Sequence, residues 1–246
     1  MSVTHVIVAS VVSGLLALAV IGTVARRWAL CRTFPIYLLT CFSGNALVCL
    51  WQERFWTPEF YALKETVYGG LQMAVALELA VVILRPFPAA LTRVLWRFIG
   101  VLAVTSYMAL VPRTEYFQYL TLGLPLEQAC VSWMFLILVF PVVWHRIPLG
   151  SYHRGLLEGF ALYVGMFTLL LGMTAAFGWA VFTLCLQHID PLAFAMAVGL
   201  WGAAAWSKDE QISTRPMLLG FWRPWLTVLE GVALLLVFGV VLAYAG

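Results

Sequence analysis

Residues 60–84 read FYALKETVYGGLQMAVALELAVVIL, and Arg85 and Pro86 follow directly. This run is long enough for the roughly 20 helical residues that cross the ~30 Å hydrocarbon layer of a bilayer. It is one of eight such apolar runs, and the other seven lie at 5–25, 35–52, 91–112, 117–143, 156–182, 190–206 and 224–245. The pattern predicts an all-α, polytopic membrane helical bundle of about eight transmembrane helices.

The composition agrees with this prediction over the whole chain. Of the 246 residues, 63% are hydrophobic and only 10% are charged, and the mean hydropathy is +0.97. Such values exclude a soluble globular domain. The longest gap between apolar runs, at 207–223, is too short to hold one. We therefore expect residues 1–246 to form a single transmembrane helical domain.

Positive charge is concentrated in every second gap between the runs. Of the 14 Lys and Arg residues, only Arg54, Lys64 and Arg113 lie in the alternate gaps. The remaining ones occupy the gaps at 26–34, 85–97, 144–154 and 207–223. The positive-inside rule predicts that these gaps face the cytoplasm. Both termini are then non-cytoplasmic, and a plasma (inner) membrane location is expected.

The sequence predicts no catalytic residue and no metal site. It contains no GxxxxGK[ST], HExxH or GxSxG motif and no cysteine spacing typical of a metal site. The sequence leaves any cofactor unknown. The net charge is only +3 and is explained by topology, so we expect a lipid bilayer as partner and no nucleic acid.

Carboxylates within the apolar runs are the first candidates for functional residues. A charge near the bilayer centre costs at least ~2.5 kcal/mol, so such groups normally face protein or water. Glu78 and Glu127 lie deepest, and we expect both to point into the bundle. Each is predicted to find a hydrogen-bond partner among the intramembrane amides, Arg97 or the other glutamate. Glu158 lies four residues after Arg154, a spacing typical of an ion pair on a helix.

Intramembrane amides and a polar strip complete the candidate set. Asn45, Gln72 and Gln128 could each donate to a buried carboxylate. Glu65 and Tyr68 continue the strip from Gln72 toward one end of the third run, where it could line a wet path. Two interpretations remain open for all these residues: a proton or cation site, or a hydrogen-bond network that only fixes helix packing.

Small residues four apart predict close helix packing. Gly155 and Gly159 lie four apart at the start of the sixth run, and Ala195, Gly199 and Ala203 are spaced in the same way in the seventh. This spacing lets helix backbones approach closely in lipid. We expect the second stripe to face another helix, so that a large side chain at Gly199 is not tolerated.

The sequence leaves two main hypotheses for function. The first is a non-catalytic integral membrane module that acts through partner proteins, either as a subunit of a larger membrane complex or as a sensory helical bundle. The alternative is a small secondary transporter or ion channel that uses the intramembrane carboxylates for proton or cation coupling. Other membrane protein subunits or a homo-oligomer are the expected protein partners.

Overall fold

The computed structural model describes the backbone of residues 3–55, 57–110, 124–177 and 179–207, and the side chains of these residues except 3–9, 58, 105, 107–110, 124–126, 168–177 and 179–188. This part of the chain is all-helical. Its helices are α1 (Val3–Arg26), α2 (Thr33–Leu50), α3 (Gln52–Phe55), α4 (Pro58–Leu84), α5 (Pro88–Leu110), α6 (Leu124–Trp144), α7 (Ser151–Phe177) and α8 (Trp179–Trp206).

Four segments of these helices are long and apolar enough to cross a membrane: Thr33–Leu50, Glu59–Leu84, Glu127–Trp144 and Ile189–Trp206. They coincide with four of the predicted runs. Most of the runs at 5–25, 91–112 and 156–182 is also helical, and Ser10–Arg26 forms a shorter apolar helix. The run at 224–245 lies outside the described residues. The helical class is thus confirmed for the described part of the chain, and the full set of eight spans stays a prediction.

Local sequence explains where α4 begins. Thr57 has extended backbone angles, and its hydroxyl oxygen accepts a hydrogen bond from the backbone N–H of Phe60 at 3.3 Å. Pro58 occupies the first helical position, where its missing N–H costs nothing. Glu59 places a carboxylate in the first turn, where the helix dipole favours it. α4 is therefore a helix with its own start signal.

Six helices are arranged in a closed ring in the order α1, α2, α4, α6, α7, α8, and α8 packs back on α1. α5 packs outside this ring against α4 and α6, and the short α3 packs on α2. α4 also reaches α7 across the ring.

Aromatic side chains fill the middle of the ring. Phe34 and Tyr37 of α2, Phe160 of α7 and Trp201 of α8 are all at most 1% exposed. The Trp201 ring lies 4.5 Å from the Phe160 ring and 5.4 Å from the Phe34 ring, centroid to centroid. Phe135 of α6 stacks on Phe160 at 4.7 Å. The ring of helices is therefore a packed core with large rings from four helices at its centre.

Helices α7 and α8 make the most extensive helix contact in the described residues, and glycine allows it. A Cβ atom added to Gly155 would lie 2.5 Å from the Cβ of Ala204, and one added to Gly159 would overlap the Trp201 indole. The close packing predicted for these two glycines is thus confirmed.

The predicted stripe on the partner helix is wrong by about one residue. A Cβ atom added to Gly199 would have no neighbour within 4 Å, and Ala203 is exposed. The close contact is made by Ala204 and Trp201 instead. A helix repeats every 3.6 residues, so a stripe drawn at intervals of four drifts away from the contact face.

The predicted run at 190–206 agrees with the apolar segment Ile189–Trp206, but the helix that carries this segment begins earlier than the apolar pattern indicates. The sequence pattern ended one run at 182 and began the next at 190, but α8 is continuous from Trp179 to Trp206. Pro191 lies inside this helix. Asp190 therefore belongs to the body of α8, 16 residues or about 24 Å before Trp206 at 1.5 Å per residue.

The contact between α7 and α8 yields a first testable prediction. Gly155→Ala should lower the free energy of unfolding, because overpacking against Ala204 costs about 1–3 kcal/mol. The higher helix propensity of alanine offsets ~1 kcal/mol of this cost. The matched control is Gly165→Ala on the same helix, where an added Cβ would meet open space. Thermal unfolding in detergent should rank Gly155→Ala clearly below Gly165→Ala. Equal stability of the two variants would contradict the described packing.

Candidate functional site

Glu78 caps the start of α2 from a different helix. Its carboxylate accepts hydrogen bonds from the backbone N–H groups of Arg32 and Thr33, both at 2.8 Å. The Thr33 hydroxyl and the Cys31 thiol donate to the same carboxylate, the thiol at 3.2 Å. Arg32, at the N-cap position of α2, makes no capping hydrogen bond with its own side chain. Glu78 thus satisfies backbone donors that α2 leaves open.

This arrangement corrects the expected partners of Glu78. The sequence pattern predicts an intramembrane amide, Arg97 or Glu127 as its partner, whereas the observed donors belong to the segment 31–33. The donors include two backbone amides, which have no signature in the sequence. Hydrogen bonds in which the acceptor is a carboxylate are stronger than those between neutral groups, so these four contacts hold Glu78 firmly against the segment 31–33.

Cys31 is buried beside the same carboxylate. It is fully inaccessible, and burial together with the charge of Glu78 raises the pKa of the Cys31 thiol to about 12. The thiol therefore stays protonated near neutral pH and serves as a hydrogen-bond donor to Glu78. It has the character of a structural cysteine, since reactivity requires the thiolate.

Several basic residues surround this end of the bundle, which we call the basic end and define by Arg26, Arg27, Arg32, Arg85 and Arg154. The Arg26 guanidinium lies 4.6 Å from the centre of the Trp206 ring, and Arg27 donates to the Ser207 carbonyl at 2.7 Å. Arg154 and Glu158 form the predicted ion pair at 3.1 Å. Three of the predicted basic gaps thus meet here; of the fourth, only Ser207 lies within the described residues, and it also lies at this end.

Glu127 lies at a different level of the bundle. Its carboxylate packs against Gly69 of α4, where an added Cβ would lie 2.9 Å from Cδ and 3.1 Å from Cγ of Glu127. Gly69 is nine residues from Glu78, or about 14 Å along the helix. The structure therefore does not bring Glu78 and Glu127 together.

Two residues of the predicted polar strip on α4, Tyr68 and Gln72, face α2 and are buried. Tyr68 is 8% exposed and donates from its hydroxyl to the Cys41 carbonyl at 3.2 Å. Gln72 is 3% exposed and donates to the Tyr37 hydroxyl oxygen at 3.0 Å. Both side chains join α4 to α2 inside a packed interface, which argues against a wet path along them.

The other two predicted amides lie apart from this strip. Gln128 on α6 is 4% exposed, and its backbone carbonyl accepts from the Ser132 hydroxyl at 2.9 Å. Asn45 is half-buried on α2, next to Gly44. The candidate residues thus form separate local contacts.

A further polar cluster contains residues that the sequence analysis missed. The Lys64 ammonium lies 3.1 Å from the Glu65 carboxylate, and both side chains are less than a fifth exposed. Asp190 of α8 lies within electrostatic range of this pair and within hydrogen-bonding reach of the Tyr163 hydroxyl on α7. Glu65 lies one turn before Gly69, the residue that contacts Glu127. Two predicted residues, Glu65 and Glu127, therefore lie near this end of α4, which we call the lysine end.

Comparisons of the chain with protein-family models, curated proteins and solved structures find no match. Among the described residues, no group of three or more His, Cys, Asp and Glu side chains is placed to hold a metal ion.

The cap on α2 yields the second prediction. Glu78→Gln should destabilise the protein by about 1.5–3 kcal/mol, because the amide keeps one acceptor and turns its NH₂ group toward backbone donors. Glu53→Gln is a suitable control, since Glu53 is exposed on α3. Thermal unfolding of both variants in detergent checks the prediction. If Glu78→Gln unfolds at the parent temperature, the cap contributes no stability and this interpretation is wrong.

Proposed function

We propose that the chain is an integral membrane helical bundle that acts through partner proteins, as a subunit of a larger complex or as a sensory module. The observation that carries this proposal is the packed centre of the helix ring. Phe34, Tyr37, Phe160 and Trp201 are at most 1% exposed and contact one another there. A bundle whose middle is filled in this way is suited to holding a shape and presenting it to partners.

Membrane insertion is supported by the outer surface of the bundle. Large apolar side chains are exposed on helices at its periphery, including Leu63 on α4, Trp96 and Ile99 on α5, and Leu192 and Met196 on α8. Each of these is at least 53% exposed. A soluble protein rarely leaves such surface in water, whereas lipid tails accept it without cost.

The alternative function, a small transporter or channel, has less support. Transport through the ring would require a path past the central aromatic rings. Glu78, one of the two carboxylates first considered for coupling, has its hydrogen-bonding capacity used by the start of α2. We therefore favour the partner-dependent module.

Orientation is the third prediction. We propose that the basic end faces the cytoplasm, in accord with the positive-inside rule, and that the membrane is the plasma (inner) membrane. In a background with all native cysteines replaced, Ala29→Cys and Ala89→Cys should resist an impermeant thiol reagent in intact cells and react after permeabilisation. Gln52→Cys should react in intact cells. All three positions are exposed. Reversed labelling would overturn the orientation.

Association with other proteins is the fourth prediction. Extraction from the native host in a mild detergent, followed by mass measurement, should recover the chain together with one or more different proteins in a fixed ratio. The same extraction of an unrelated tagged membrane bundle controls for nonspecific recovery. A lone monomer or a symmetric homo-oligomer that also moves protons or cations in liposomes would favour the transporter instead.

A further inference from the structure

Asp190 lies on the face of α8 that points into the helix ring. The same face carries Phe194 one turn later and Trp201 about three turns later. The Phe194 ring packs edge-on against Tyr163 of α7, 5.2 Å between centroids, and lies 6.2 Å from the Trp201 ring. Asp190 is thereby brought toward the Tyr163 hydroxyl at the lysine end of the core.

The carboxylate of Asp190 is incompletely satisfied. Its Oδ1 atom is buried and has no hydrogen-bond partner within the described structure. Burying an ionised carboxylate with an unpaired oxygen is costly unless the charge is paired. A bound proton removes that charge and turns the unpaired oxygen into a hydroxyl group.

The nearby cation, Lys64, already forms an ion pair with another carboxylate, that of Glu65. The Lys64 ammonium pairs with Glu65 at 3.1 Å and lies over the Tyr61 and Tyr68 rings at 5.2 and 5.4 Å. Lys64 and Glu65 together carry no net charge, so the group of Lys64, Glu65 and Asp190 carries one negative charge when all three are ionised. One proton brings this group to neutrality.

We propose that Asp190 is a proton-binding site, in which Oδ1 takes up one exchangeable proton beside the Lys64–Glu65 pair and the Tyr163 hydroxyl. The groups that face Asp190 are Tyr163 from α7 and Tyr61, Lys64 and Glu65 from α4. On α1 the titratable residue of the first turn is His5, and His188 precedes Asp190 on α8 itself. This site is formed by residues of the chain itself. The proposal can therefore be tested separately from the proposed action through partner proteins.

The test uses a hydrophobic carbodiimide, which modifies protonated carboxyl groups in apolar surroundings, on the full chain in lipid nanodiscs. Mass spectrometry of peptides then reports each carboxylate separately. We expect modification of Asp190 that is progressively lost as the pH is raised, because the reagent needs the protonated acid and the ratio of ionised to protonated carboxyl groups increases tenfold per pH unit. Glu78, whose carboxylate oxygens already accept four hydrogen bonds, serves as the internal control and should remain unmodified.

A second measurement keeps the proposal testable should the reagent fail to reach the site. A group that holds its proton in the folded state and releases it on unfolding makes stability fall as the pH rises. Thermal unfolding of the parent should therefore shift to lower temperature as the pH rises above ~4, the ordinary pKa of an aspartate in an unfolded chain, and Asp190→Asn should lose this shift. His5→Gln and His188→Gln control for the two histidines and should keep it.

The outcomes separate the possibilities. Modification of Asp190 with the expected pH dependence, or a pH-dependent stability that only Asp190→Asn abolishes, supports the proposal. Protection of Asp190 by sodium at constant pH would assign the site to an alkali cation and overturn the proton assignment. Absence of modification together with a stability profile shared by the parent and Asp190→Asn would show that Asp190 remains ionised, and the proposal would fail.

Discussion

The structure depends on the filling of the helix ring from within. In this ring of six helices the inward side chains occupy the enclosed volume, as expected of a protein interior packed about as densely as an organic crystal. Phe34, Tyr37, Phe160 and Trp201 fill this volume, each nearly or fully buried. Glycine is then needed where these rings press on a neighbouring backbone, as at Gly159 beneath Trp201. The close contact between α7 and α8 likewise depends on glycine at the positions where the two helices touch.

Polar groups lie on the two sides of this aromatic layer and differ in character. At the basic end, the Glu78 carboxylate receives four donors and acts as a structural cap. At the lysine end, Lys64 pairs with the Glu65 carboxylate, and Asp190 adds a second carboxylate. An oxygen of Asp190 has no hydrogen-bond partner within the described structure. Two carboxylates of the same chain thus have very different surroundings, with four donors at Glu78 and a buried, unpaired oxygen at Asp190 within the described structure.

How much the sequence could predict depended on the distance between partners along the chain. The Arg154–Glu158 pair was predictable because helix geometry alone brings such residues together. The donors to Glu78 were not, since they lie 45 or more residues away and two of them are backbone amides. Asp190 was missed because polar residues and Pro191 interrupt the apolar pattern, and the tertiary neighbour Tyr163 cannot be read from a local pattern. The stripe through Gly199 failed because a four-residue interval only approximates the helical repeat.

The cap on α2 also has a consequence for the order in which the chain is made. The ribosome synthesises α2 before its capping residue exists, since Thr33 and Glu78 are 45 residues apart in sequence. At about 5–20 residues per second, this separation corresponds to roughly 2–9 s of translation. During that interval the open backbone N–H groups in the first turn of α2 must donate to another acceptor, such as water. The cap on α2 is therefore completed only after α4 has been made, which couples the first turn of α2 to the arrival of a single later glutamate.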